Sequence, residues 1–293
     1  MTTPTSSARA MLWVDSEVHL LPPEWCSPNY QPPAEETVLH RVIYDHPERD
    51  AALARATLDG LLSEMEAARI DRAVITALPW HSPVACWRNT AYISELVRHH
   101  PQRLTGLGVL PPPGHENLRD AVRRIREEYG LSGVKVIPSW QDYRLDDEVF
   151  EPALAQMETD GLVLMPHTDH LYRPPAQSDT AAALYEICRR HPGLRVLAPH
   201  LGGLLCLYGL YPAVRSVLEN VLFVGSVPLT MPMVTMAVQA IGADRVAFGT
   251  DFPFNPSHDQ RQVLAAFEAL PLSADEQRLI AGANVLRFLG VPA

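Results

Sequence analysis

Short runs of apolar residues without polar alternation recur eight times along the chain, each followed by a stretch of helical periodicity. Strands are expected over 11–20, 73–78, 104–110, 133–137, 162–166, 195–199, 221–225 and 246–250. Helices are expected over 51–68, 85–99, 117–129, 147–159 and 181–191, within 201–219, and over 233–241, 259–269 and 274–289. Segments such as VKVI, LVLM, VLFV and VAFG have no polar face, so their sheet must be covered on both sides, as parallel sheets are. Eight strand–helix units in 293 residues predict an α/β chain closed into a (β/α)8 TIM barrel, one domain over 1–293. A doubly wound open sheet shares this rhythm, but its nucleotide-binding version needs a GxGxxG turn after the first strand, and none is present. Residues 1–10 read as a frayed tail, and 22–49 as a long loop insertion lying over the strand ends.

Charge and cysteine usage exclude several classes. The chain carries 34 acidic and 24 basic residues, a net charge of -10, with no basic cluster. Nucleic acid and anionic membrane are therefore not expected partners. Residues 220–243 carry no charge, but Pro228, Pro232, Ser226 and Thr230 divide them into strand, loop and helix. That segment reads as a buried βα unit of a soluble protein and not as a membrane span; any exposed part of it could form a homodimer face. Cys26, Cys86, Cys188 and Cys206 lie far apart with no CxxC pair, which suits free thiols in a reducing cytoplasm.

In such a barrel the catalytic groups sit at the carboxyl ends of the strands, so polar residues there are the candidates. The first strand ends in Asp15-Ser16-Glu17-Val18-His19, and a two-residue period turns Asp15, Glu17 and His19 to one side. Three ionisable groups facing an interior need pairing, hydrogen bonds or a metal. The fifth strand ends in Met165-Pro166-His167, with His170 and Arg173 in the loop beyond. The sixth ends in Pro199-His200-Leu201-Gly202-Gly203, whose glycines allow a helix to begin close to the site. The eighth ends in Gly249-Thr250-Asp251-Phe252-Pro253, where the proline-rich run argues against helix capping by Asp251. Histidines and carboxylates with no nearby cysteine suit one divalent ion: imidazole leans to Zn²⁺, and added carboxylates admit Mn²⁺.

These segments, in this order, resemble the amidohydrolase superfamily, in particular the branch typified by aminocarboxymuconate semialdehyde decarboxylase. The resemblance rests on DSEVHLLPPEW at 15–25, GVKVIP at 133–138, LMPH at 164–167, PHLGG at 199–203 and GTDFPF at 249–254. It implies that His19, His167 and Asp251 bind one metal, that Glu17 joins them, and that His200 handles protons beside it. The usual first motif of the branch, D-x-H-x-H, has Glu17 in place of its first histidine, and this version is similar to that of aromatic-acid decarboxylases such as gamma-resorcylate decarboxylase. A carboxylate ligand makes the metal a milder Lewis acid, suited more to chelating substrate than to generating hydroxide. In binuclear members a lysine at the position of Lys135 is carbamylated; with Glu17 present, Lys135 is expected to pair with Asp15 or with a substrate carboxylate.

The expected reaction is therefore non-oxidative decarboxylation of a small planar or aromatic, anionic carboxylic acid, with His200 or Asp251 protonating the carbon that loses CO₂. Trp80, His81, Lys135, Trp140, His170 and Arg173 are the candidate substrate contacts. The same residues would serve hydrolysis of a lactone or amide, with Asp251 as base and His200 steadying the oxyanion. Hydration of a double bond and a non-catalytic metal-binding role are the remaining alternatives.

Overall fold

The computed structural model describes residues 11–168, 181–226, 231–254 and 258–292. The expected tail at 1–10, and the candidates His170 and Arg173, lie outside the described residues.

All eight expected strands are present: β1 (Val14–His19), β2 (Arg72–Thr76), β3 (Leu104–Gly108), β4 (Gly133–Val136), β5 (Val163–Pro166), β6 (Arg195–Ala198), β7 (Val221–Gly225) and β8 (Val246–Phe248). They pair in parallel and in chain order, β1 to β8. The first and last strands meet through a parallel bridge between Val18 and Phe252, where the His19 backbone N–H donates to the Phe252 carbonyl at 2.7 Å. The chain thus forms a (β/α)8 barrel.

Two layers of apolar packing hold it. Val14, Val74, Leu107, Val163, Met165, Leu197, Leu222, Val224 and Ala247 fill the interior, together with Val285 and Leu286 from the last helix. That helix plugs the amino-terminal end: Asn284 Nδ2 donates to the Ala243 and Val246 carbonyls, at 2.7 and 2.8 Å. Gly282 passes so close to β1 that a Cβ there would lie 2.5 Å from the Leu12 carbonyl oxygen. The outward strand residues, such as Val18, Ile75, Val134 and Phe248, pack under the helices.

The helices depart from expectation at two places. The stretch expected over 51–68 is two helices, Arg49–Arg55 and Leu58–Ala68. Thr57 is extended between them and caps the second by accepting from Gly60 N, as a threonine at an N-cap does. Within 201–219 the only α-helix of right-handed geometry is the short Pro212–Val217. The insertion at 22–49 is well packed: Trp25, Leu39, Ile43 and Tyr44 are buried, and Trp25 lies 4.4 Å from Trp80. Its buried Glu36 accepts the backbone N–H groups of His81 and Ser82, both at 2.8 Å, which ties it to the loop after β2. Among the described residues no helix is long and apolar enough to cross a membrane.

Candidate active site

Glu17, His19 and Asp251 bring ligand-type atoms within 4.8 Å of one another at the carboxyl ends of β1 and β8. His19 Nε2 is 3.1 Å from Asp251 Oδ1 and 3.8 Å from Glu17 Oε1. Its other ring nitrogen, Nδ1, lies 2.7 Å from the Thr76 hydroxyl at the end of β2. That partner fixes the ring and directs Nε2 at the two carboxylates, the usual support for a metal-binding imidazole.

Inward placement of Glu17 depends on an irregularity that a strict two-residue period does not foresee. Between Asp15 and Val18 the first strand advances three residues while its partner advances two, from Ala73 to Ile75. This bulge shifts the parity of the strand. Val14 faces the interior, Asp15 faces the helices, and Glu17 and His19 face the interior again. The expected common face for Asp15, Glu17 and His19 is thereby corrected: Asp15 lies on the opposite side.

Asp15 instead braces the seam of the barrel. Fully buried, it accepts from Thr250 N at 2.9 Å, from the Thr250 hydroxyl, from Gln260 Nε2 at 2.8 Å and from Glu17 N at 3.2 Å. Burial pushes its carboxyl up to about 7 against the pull of these donors. Replacing it by alanine orphans several buried donors, at about 1–3 kcal/mol each. Asp15→Ala should therefore lower stability by at least about 3 kcal/mol, read as a fall in denaturation midpoint, and Asp15→Asn should fall between it and wild type.

On β4, Lys135 Nζ donates to Glu17 Oε1 at 2.9 Å, and neither side chain has any exposed surface. The expected partner Asp15 is engaged elsewhere. Burial pushes the Glu17 carboxyl up, but the neighbouring cationic groups, Lys135 foremost, outweigh it and hold the group well below the usual carboxylate range. Its second oxygen, Oε2, is buried without a hydrogen-bond partner among the described residues. An ionised carboxylate with one orphaned oxygen, beside an imidazole nitrogen and a second carboxylate, fits a divalent cation.

His200 stands next to this group. Five consecutive residues, His200 to Leu204, take left-handed dihedrals, with φ of 53, 55, 63, 61 and 70°. The paired glycines therefore serve a left-handed turn and not the start of a right-handed helix. Non-glycine residues in this region cost about 1–2 kcal/mol each, and Gly202 and Gly203 remove that cost at two of the five positions. The turn is anchored where the Ser226 hydroxyl accepts the His200 backbone N–H at 3.2 Å and meets His200 Nδ1 at 3.1 Å. Burial pushes the His200 imidazole down to about 4, against Glu17 and Asp251, so the ring is neutral near pH 7. His167, at the end of β5, sets its ring edge-on to His200 with centroids 5.0 Å apart.

The remaining candidates are more scattered. Trp80 is fully buried against Trp25, and its indole N–H donates to Asn89 Oδ1 at 3.5 Å. His81 is half-buried, with Nε2 3.5 Å from Asp142 Oδ2. Trp140 ends a single turn, Pro138–Trp140, after β4 and is half-buried. A surface recess lined by Gly114, Asn117, Arg119 and Pro152 shares no residue with the clustered donors. Thr76, Ser226 and Phe254, whose ring is 5.4 Å from that of His19, belong to the site but escaped sequence reasoning. Thr76 and Ser226 carry the same sequence signal as the histidines and carboxylates, a polar residue closing an apolar run.

A barrel with histidine and carboxylate donors gathered at the carboxyl ends of its strands defines a metal-dependent barrel enzyme. Residues 14–291 match the amidohydrolase family, and the chain belongs to it. It is 23% identical over 278 residues to a 2-amino-3-carboxymuconate-6-semialdehyde decarboxylase of Dictyostelium discoideum, a match covering 80% of this chain and 76% of that protein. In structure it is similar to 5-carboxyvanillate decarboxylase from Sphingomonas paucimobilis, with a TM-score of 0.77, 17% identity, and coverage of 97% of this chain and 100% of that one. It is also similar to 5-carboxyvanillate decarboxylase from Novosphingobium aromaticivorans complexed with manganese and 4-hydroxy-3-methoxy-5-nitrobenzoic acid. There the TM-score is 0.75 and the identity 18%, with 98% of each chain covered.

Proposed function

We propose that the protein is a carboxy-lyase that removes CO₂ without oxidation from a small aromatic or planar carboxylic acid bearing a neighbouring oxygen. The observation that carries this reading is the convergence of Glu17, His19 and Asp251 beside neutral His200. Glu17, His19 and Asp251 would hold one divalent ion, with His167 as a further ligand. When bound, that ion would supply Lewis-acid charge to chelate the substrate carboxylate and its neighbouring oxygen and to steady the negative charge that develops. Zn²⁺ is favoured by the imidazoles and Mn²⁺ by the two carboxylates; the manganese in the Novosphingobium decarboxylase supports the second option.

The residues divide the remaining work. Asp251 takes the proton of the substrate's neighbouring hydroxyl and delivers it to the carbon. The carbon–carboxylate bond breaks, its electron pair stays on the carbon, and the proton from Asp251 completes the new C–H bond. A Ser226 hydroxyl donating to Nδ1 of His200 leaves the imidazole proton on Nε2, where it can donate to a substrate oxygen. The carboxylate in place of a first histidine, together with relatives named as decarboxylases, favours this reading over lactone or amide hydrolysis.

Release of CO₂ from a panel of 2-hydroxybenzoates and muconate-type acids, measured beside lactone opening, tests the assignment. Turnover of a 2-hydroxybenzoate or muconate-type acid with one CO₂ per product is expected; lactone opening without CO₂ release would overturn it. The four cysteines are free thiols, in keeping with the cytoplasm as the site of action. A homodimer is the assembly we favour, with Tyr208, Leu210, Tyr211 and Met236 exposed for it; sedimentation as a monomer at micromolar concentration would exclude that.

A further inference from the structure

The VKVI run of β4 would pack as well with an apolar residue in second place, yet it carries an ammonium with no exposed surface. Burying such a charge is costly, and its one partner among the described residues is Glu17. We propose that Lys135 sets the charge of the metal centre, loosening its hold on the cation so that the centre binds a singly negative carboxylate. This rests on the metal and carboxylate reading given above.

Lys135 donates to Glu17 Oε1, the oxygen 3.8 Å from His19 Nε2, while Oε2 is buried without a hydrogen-bond partner among the described residues, so the ammonium sits directly on the carboxylate that would meet the ion. The two carboxylates of Glu17 and Asp251 and the ammonium of Lys135 sum to one negative charge, so a dication leaves one positive charge. That surplus matches one substrate carboxylate. Without Lys135 the dication is already neutralised and attracts no anion. In a buried site a single charge acts far more strongly than at a surface. Lys135 is thus a positioning and charge-setting residue, and its effects on cation and anion run in opposite directions.

The test is binding, with Mn²⁺, 2-hydroxybenzoate and the uncharged 2-hydroxybenzamide as probes, on full-length wild type, Lys135→Met, Lys135→Gln and Glu17→Gln. In both Lys135 variants the Kd for Mn²⁺ should fall about tenfold or more, and the Kd of the manganese-loaded protein for 2-hydroxybenzoate should rise about tenfold or more. Affinity for the amide should stay within about twofold. A residue that merely held Glu17 in place would weaken both cation and anion when replaced, and that result overturns the proposal. So does a Lys135→Gln protein that matches wild type, since glutamine keeps an N–H donor but not the charge. Should Lys135→Met fail to fold, the glutamine variant decides alone. Wild type that binds no Mn²⁺, or binds it equally after Glu17→Gln, sinks the metal reading itself. Wild type that binds it through Glu17 while 2-hydroxybenzoate affinity ignores Lys135 sinks only the role of the lysine.

Discussion

Asp251→Asn should bring turnover below detection while the barrel stays folded. The side chain is one-fifth exposed, and among the described residues its ion-pair partner is His19, so little of the core depends on it. Its backbone is left-handed, with φ of 58°, and asparagine is among the few residues that accept this region readily. The substitution is therefore isosteric and compatible with the turn, and it removes one negative charge and one proton carrier together. The measurements are CO₂ release, a thermal melt and metal content by mass spectrometry of protein purified without chelator. Wild-type turnover would remove Asp251 from the chemistry. A folded, metal-poor, inactive variant would show that the ligand role dominates.

Replacing His200 should lower the rate by about 10²–10⁴-fold, the scale of a general acid–base group, with the metal retained. Asparagine is again the informative choice, because His200 has a φ of 53° and opens the left-handed turn. An alanine there would add backbone strain to the loss of the imidazole and confuse the two. Metal content separates the remaining interpretations: an ion lost with the ring makes His200 a ligand, whereas an ion retained makes it a partner of the substrate. Ser226→Ala should follow His200→Asn in direction with a smaller loss, since it frees the ring and leaves it present.

The barrel was legible in the sequence because its evidence is repeated eight times. A strand such as Val221–Gly225, apolar on both faces and bounded by polar turns, has few alternatives, and the chain order of the strands follows from the helices between them. The clustered donors were legible for a related reason: Glu17, His19 and Asp251 close apolar runs where nothing structural asks for them. What stayed hidden depends on contacts between distant segments. The bulge at Asp15–Val18 changes the parity of one strand, and no local periodicity announces it. The pairing of Lys135 with Glu17 follows from that change, since an unbulged strand would turn Glu17 away from β4. The left-handed run at His200–Leu204 was likewise concealed, because two glycines are equally good at opening a right-handed helix.

The parallel bridge between Val18 and Phe252 has a consequence for assembly. Glu17 and His19 belong to the first strand laid down, Asp251 follows the last, and only their docking brings the three together. A nascent or partly folded chain therefore presents scattered donors without chelating power. If these residues hold the proposed ion, its tight capture would report completion of the ring, and the cation would act as a final clasp that an unfinished molecule has no means to fasten.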